Sequence, residues 1–98
     1  MTAPVYLGDE VSAAGFRLAG LRARTPPRGD EGTALASACA EAPLVLVAAR
    51  VAARIAEREL RAALAALTPL VLIVPDLDGA TPVPDLVIRL KRLLGLET

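Results

Sequence analysis

The sequence contains no histidine and a single cysteine, Cys39, among its 98 residues. A chain without histidine has no Ser-His-Asp triad, and one cysteine forms neither an internal disulfide nor a Cys/His zinc site. A lone thiol in an alanine-rich helical stretch is typical of a small buried apolar residue in a reducing compartment. These absences exclude histidine-based triads, internal disulfides and Cys/His zinc sites as the basis of a function.

Aromatic residues and long apolar runs are also scarce. Tyr6 and Phe16 are the only aromatic residues, so we expect a core of aliphatic side chains. Eleven basic residues balance eleven acidic ones, so no net field attracts the chain to nucleic acid or an anionic membrane. No apolar run approaches the ~20 residues of a membrane span, and no signal peptide is recognised. We therefore expect one soluble intracellular domain over residues 1–98, with no nucleic acid partner and no membrane insertion.

Short apolar segments predict the buried strands of a parallel sheet. Leu44–Val47 and Leu70–Val74 are continuous apolar runs, a pattern typical of strands covered on both faces. Val5–Leu7 precedes them, and Ala19–Ala23 is expected to form a weaker strand with Gly20 at its turn. The pattern predicts an α/β fold, a small doubly wound four-stranded parallel sheet of order 2-1-3-4 with helices on both faces.

Helices are expected between these strands and after the last one. Asp9 is the expected N-cap of the first helix. The third is long and amphipathic, and the last carries a broad aliphatic stripe that either docks on the sheet or binds a partner helix. The predicted helices cover Val11–Leu18, Asp30 or Thr33 to about Glu41, Val51–Leu67, and about 84–94.

Asp9 and Glu10 follow the first strand, at the edge where open parallel sheets bind ligands. The simple interpretation is that Asp9 caps a helix and Glu10 adds charge to its first turn. The receiver domains of response regulators carry an acidic pair at this point, but they also need a phosphoacceptor Asp after the third strand. Ala48, Ala49 and Arg50 stand there instead. Neither a Gly-x-Gly-x-x-Gly fingerprint nor a Walker A motif occurs, so no cofactor is expected.

The stretch GDEVSAAGFRLAGL, residues 8–21, resembles the N-terminal signature of the F subunit of the V-type (A/V-type) rotary ATPases. In that family a short first strand leads into Gly-Asp, a few small residues and then Gly-Phe-Arg-Leu-Ala-Gly. Gly15–Gly20 matches the last six without a gap. The later apolar strands, the helix between them and the chain length agree, so the resemblance covers essentially the whole chain.

The resemblance implies a non-catalytic part of a central rotor stalk, with no cofactor and no metal ion. In that family the F subunit binds the long coiled coil of the D subunit, and the pair turns inside the A3B3 head. Rotation couples ATP hydrolysis or synthesis to proton or sodium transport. The resemblance also implies a cytoplasmic position peripheral to the membrane, and contact of a mobile C-terminal helix with the head.

Partner-contact residues are suggested by the resemblance together with the residue types. Phe16 is either a core anchor or an exposed contact for the coiled coil, and the sequence leaves both open. Arg17 is a candidate to bind a carboxylate of a partner. The other candidates are aliphatic residues of the proline-rich loop and of the last helix: Leu77, Val83, Leu86, Leu90 and Leu93.

Two further interpretations stay open at this point. One is a degenerate receiver-like regulatory domain that binds a signalling protein. The other is a small enzyme or ligand-binding domain that uses Asp9 and Glu10 with a divalent metal ion.

Overall fold

A computed structural model describes residues 3–75 and Arg92 of the chain. Within these residues the chain forms a four-stranded sheet whose strands are all parallel. The strand order is 2-1-3-4, which confirms the predicted α/β topology. The strands are β1 (Val5–Leu7), β2 (Arg22–Arg24), β3 (Leu44–Ala48) and β4 (Leu70–Val74).

Helices cover both faces of this sheet. Phe16 of the first helix stacks on Tyr6 of β1, and Glu41 at the end of the second helix pairs with Arg24 of β2. Arg24 lies opposite Leu7 in the register, and successive strand residues point to opposite faces, so the two helices lie on opposite sides. The described helices are α1 (Glu10–Leu18), α2 (Glu31–Glu41), α3 (Ala49–Ala52) and α4 (Glu57–Ala65).

The core is centred on β3 and is mostly aliphatic, as the composition predicts, with the rings of Tyr6 and Phe16 as its aromatic members. All five residues of β3 are buried, because this strand lies between β1 and β4 and its side chains alternate between the two layers of helices. Val5, Val45 and Val71 lie side by side across three strands, and each is at most 3% exposed. Each such side chain contributes about 1.5–3 kcal/mol to folding when fully buried.

The second strand begins three residues later than the predicted Ala19–Ala23. The first helix ends in a Schellman cap, in which the N–H of Gly20 donates to the Arg17 carbonyl and the N–H of Leu21 donates to the Phe16 carbonyl. Gly20 has φ +96°, a conformation that favours glycine. Residues 19–21 are therefore used by the helix end, and strand pairing begins only at Arg22.

The predicted single helix over Val51–Leu67 is wrong, because the chain leaves the helical path between α3 and α4. The N–H groups of Arg54 and Ile55 donate to the carbonyls of Val51 and Ala52, three residues back, and α4 begins after Ala56. The break lets Ile55 be buried (6% exposed). Two glutamates in the first turn of α4 favour a helix start there.

A buried carboxylate fixes the start of α2. The chain enters the helix at Asp30, one of the two predicted starts, although the side chain of Asp30 forms no capping hydrogen bond. Oε1 of Glu31 accepts a hydrogen bond from the N–H of Gly29 at 2.8 Å, and a guanidinium nitrogen of Arg54 lies 3.7 Å from Oε2. The pKa of Glu31 lies below its usual 4.5, mainly because its carboxylate accepts a hydrogen bond from its own backbone N–H. The hydrogen bond from Gly29 and the positive charge of Arg54 lower this pKa further. The ionised carboxylate thereby ties α2 to the turn after α3.

In the described part of the chain, no helix has the length and apolar character required to cross a membrane. The predicted C-terminal helix over about 84–94 lies outside the described residues, apart from Arg92, which is helical and exposed.

Candidate functional site

Asp9 is the N-cap residue of α1, and both of its carboxylate oxygens accept hydrogen bonds in this role. Its Oδ1 accepts a hydrogen bond from the N–H of Ser12 at 2.7 Å, and its Oδ2 accepts one from the Ser12 hydroxyl at 3.1 Å. The N–H of Ser12 is the main reason why the pKa of Asp9 lies below its usual 3.8. The predicted N-cap is confirmed. Within residues 3–75 and Arg92, no cluster of three or more metal-ligating side chains is present.

Phe16 lies in the core and not on the surface. Its side chain is 0% exposed, and its ring stacks on that of Tyr6 with centroids 3.9 Å apart and planes inclined by 22°. The ring joins α1 to β1, and a Cβ at Gly8 would overlap the Tyr6 hydroxyl beside it. In the isolated chain Phe16 is therefore the core anchor, one of the two roles predicted, and it offers no surface to a partner.

Arg17 joins the end of α1 to the neighbouring strand. Its Nε and Nη2 donate to the carbonyl of Ala23 at 3.3 and 2.9 Å. A guanidinium nitrogen also lies 4.0 Å from a carboxylate oxygen of Glu10, and the Arg17 side chain is 47% exposed. The predicted role of Arg17 in binding a partner carboxylate stays a prediction, but the side chain already has a structural role within the chain.

The feature that the sequence reasoning missed is an apolar stripe on the outer face of α1. Val11 is 85% exposed, Leu18 is 88% exposed, and Ala14 between them is exposed as well. Spacings of three and four residues place them on one face of the helix, opposite the buried Ala13 and Phe16. The signal was available, since this helix has apolar residues on two opposite faces and only one of them can pack on the sheet.

Three further exposed apolar side chains lie on α4, in the turn after it and on β4. Leu67 is 83% exposed after α4, and Leu64 and Ile73 are about two-fifths exposed (39% and 42%). Nearby, α2 and α4 border an open groove of about 780 Å³ that includes Leu35, Cys39 and residues of α4. Burial raises the pKa of the half-buried Cys39 thiol.

The remaining predicted contact residues cannot be placed in this geometry. They belong to the proline-rich loop and the last helix, which lie outside the described residues: Leu77, Val83, Leu86, Leu90 and Leu93. Their contact role stays a prediction.

Comparison with known proteins identifies the family. A sequence profile of the family described as ATP synthase (F/14-kDa) subunit matches residues 5–89, which include every described strand and helix of the fold. A search among curated proteins gave no match. The profile confirms the family resemblance that the residues of α1 and its cap carry. The chain belongs to the family of the ATP synthase (F/14-kDa) subunit.

Proposed function

We propose that the chain is a non-catalytic subunit of the central rotor stalk of a V/A-type ATPase. It binds the coiled coil of the D subunit and helps to couple ATP hydrolysis or synthesis to proton or sodium transport. The family match over residues 5–89 carries this proposal. Its place is in the cytoplasmic, peripheral sector of the complex, with the C-terminal residues 84–94 in contact with the A3B3 head.

The local structure of α1 supports an adaptor role. Asp9 and Ser12 cap the helix start, Arg17 fixes its end to β2, and Phe16 packs beneath it. A helix held at both ends and along its buried face presents its outer residues on a rigid base, which lowers the entropy cost of docking another helix.

Co-expression with a D-type partner tests the proposal. We expect one peak in size-exclusion chromatography that contains both chains at a 1:1 ratio. We also expect the isolated chain to hydrolyse no ATP. Separate elution of two folded chains at micromolar concentration would contradict the stalk assignment, and ATP turnover by the chain alone would contradict the non-catalytic role.

A further inference from the structure

Among the residues that the structure describes, one large side chain of the hexapeptide Gly15–Gly20 has no structural task. Phe16 anchors the core, Arg17 binds the Ala23 carbonyl, and Gly20 forms the helix cap. Leu18 instead points into solvent and is 88% exposed. A leucine so placed stabilises nothing within the described part of the chain, and exposing it is unfavourable for solubility.

Leu18 belongs to a stripe and is not an isolated exposed residue. Val11 lies two turns before it on the same face, and the small Ala14 lies between the two. Two large side chains separated by a small one form a shallow depression, into which a side chain of another helix can insert. This is the pattern by which one amphipathic helix receives another.

The charges beside the stripe restrict the chemistry of its partner. Glu10 and Arg17 lie on one flank with 74% and 47% of their side chains exposed, and they approach each other to 4.0 Å. Because this flank carries one negative and one positive charge, it complements a partner helix that presents a positive charge opposite Glu10 and a negative charge opposite Arg17. A lipid headgroup layer or a nucleic acid backbone carries one sign and gains nothing from this arrangement.

Size argues against a second copy of the chain as the stable occupant. The nine residues of α1 extend for only about 14 Å. Two such helices in contact through the stripe fall well short of the roughly 1,200 Å² that a stable interface buries. A helix longer than α1 also covers the surface beyond its two ends.

We infer that the outer face of α1, formed by Val11, Ala14 and Leu18, is the docking surface for one helix of the coiled-coil partner. This inference rests on the proposed function. The partner helix carries an apolar strip at spacings of three and four residues, flanked by charges of both signs. Leu18 is the central contact of the interface, while Phe16 acts beneath it as a support.

The test compares two leucines of similar exposure, one on α1 and one in the turn after α4. Leu18→Glu alters the stripe, and Leu67→Glu is the matched control, since Leu67 is 83% exposed. Binding to the D-type coiled coil is measured by titration calorimetry, with melting temperatures from circular dichroism to establish that each variant is folded. We expect Leu18→Glu to weaken binding at least about 30-fold, the loss typical of a central interface residue. Leu67→Glu is expected to stay within about threefold of the unaltered chain.

The outcomes separate this inference from the proposed function. No binding by the unaltered chain would overturn both. Tight binding by the unaltered chain and equally by Leu18→Glu would overturn the docking surface alone, and a loss confined to Leu67→Glu would place the partner on the α4 side. Sedimentation of the chain by itself should show a monomer. A stable dimer that Leu18→Glu dissociates would assign the stripe to a second copy and overturn the inference.

The flanking charges give a second, independent variant. Glu10→Lys removes the acidic half of the flank while leaving the stripe intact. We expect slower association with the coiled coil, by several-fold at low salt and less at high salt, because screening weakens exposed charges. An association rate independent of this change would contradict the charge match.

Discussion

Replacement of Phe16 by alanine is the perturbation that most sharply separates a core residue from a contact residue. The side chain is 0% exposed and stacks on Tyr6. Truncating a buried phenylalanine costs about 3–5 kcal/mol, since a cavity remains. A domain of this size has a total stability of roughly 5–15 kcal/mol. Phe16→Ala is therefore expected to leave the chain only marginally folded.

Urea unfolding followed by far-UV circular dichroism measures this loss. With a slope of roughly 2 kcal/mol per molar urea for a small domain, the midpoint should fall by about 2 M. Phe16→Leu keeps most of the volume and loses the ring stacking, so we expect a smaller loss of about 1–1.5 kcal/mol.

Leu18→Ala, two residues away, is the matched control for this measurement. Because Leu18 is exposed, its truncation should change the free energy of unfolding by no more than about 0.5 kcal/mol. A loss below about 1 kcal/mol for Phe16→Ala, or equal losses for both variants, would refute the assignment of Phe16 to the core.

Three further predictions concern how α1 begins and ends. Gly20→Ala should lower stability by about 1–2 kcal/mol in urea unfolding, because φ +96° strains any residue with a Cβ; an unchanged midpoint would contradict the cap. Arg17→Ala should lower the free energy of unfolding by about 1 kcal/mol. Arg17→Lys should recover only part of this loss, since an ammonium group does not reproduce the two hydrogen bonds to the Ala23 carbonyl. Full recovery by lysine would contradict the geometry. Asp9→Ala should cost about 1 kcal/mol at pH 7. The pKa of Asp9 is lowered by folding, so the contribution of its carboxylate is present above pH ~4 and is lost as pH falls through the folded value. The difference between Asp9→Ala and the unaltered chain should then shrink in acid, and a constant difference down to pH ~2 would contradict the cap.

Strands β3 and β4 were predictable from sequence because each is a continuous apolar run, although only β3 is buried along its whole length. Leu44–Val47 and Leu70–Val74 are continuous apolar runs, and the structure has strands at both places. The alternation of strands and helices then predicted a doubly wound sheet, and the predicted order 2-1-3-4 is confirmed. Asp9 was predictable as a cap for a similar reason, since the residue type and its position before a helix are local signals.

The break between α3 and α4 was not predicted, and the orientation of α1 depends on tertiary contacts that the apolar pattern of the sequence does not encode. Val51 and Ile55 have helical spacing, and so do Leu60 and Leu64, but the interval from Ile55 to Leu60 is five residues. The prediction of one helix passed over this interval, at which the chain forms two. The orientation of α1 was hidden, because both of its faces are apolar. Only the stacking of Phe16 on Tyr6 determines that Val11 and Leu18 face outward.

Rotation of the chain within an intact complex is the most direct test of the rotor assignment. The complex is assembled with the variant Cys39→Ser, Leu67→Cys, so that a probe can be attached at an exposed position away from the proposed docking face. With the A3B3 head immobilised, the account predicts that a bead on this chain turns in steps when ATP is added and stops when ATP is removed. A complex that hydrolyses ATP while the bead stays fixed relative to the head would contradict it.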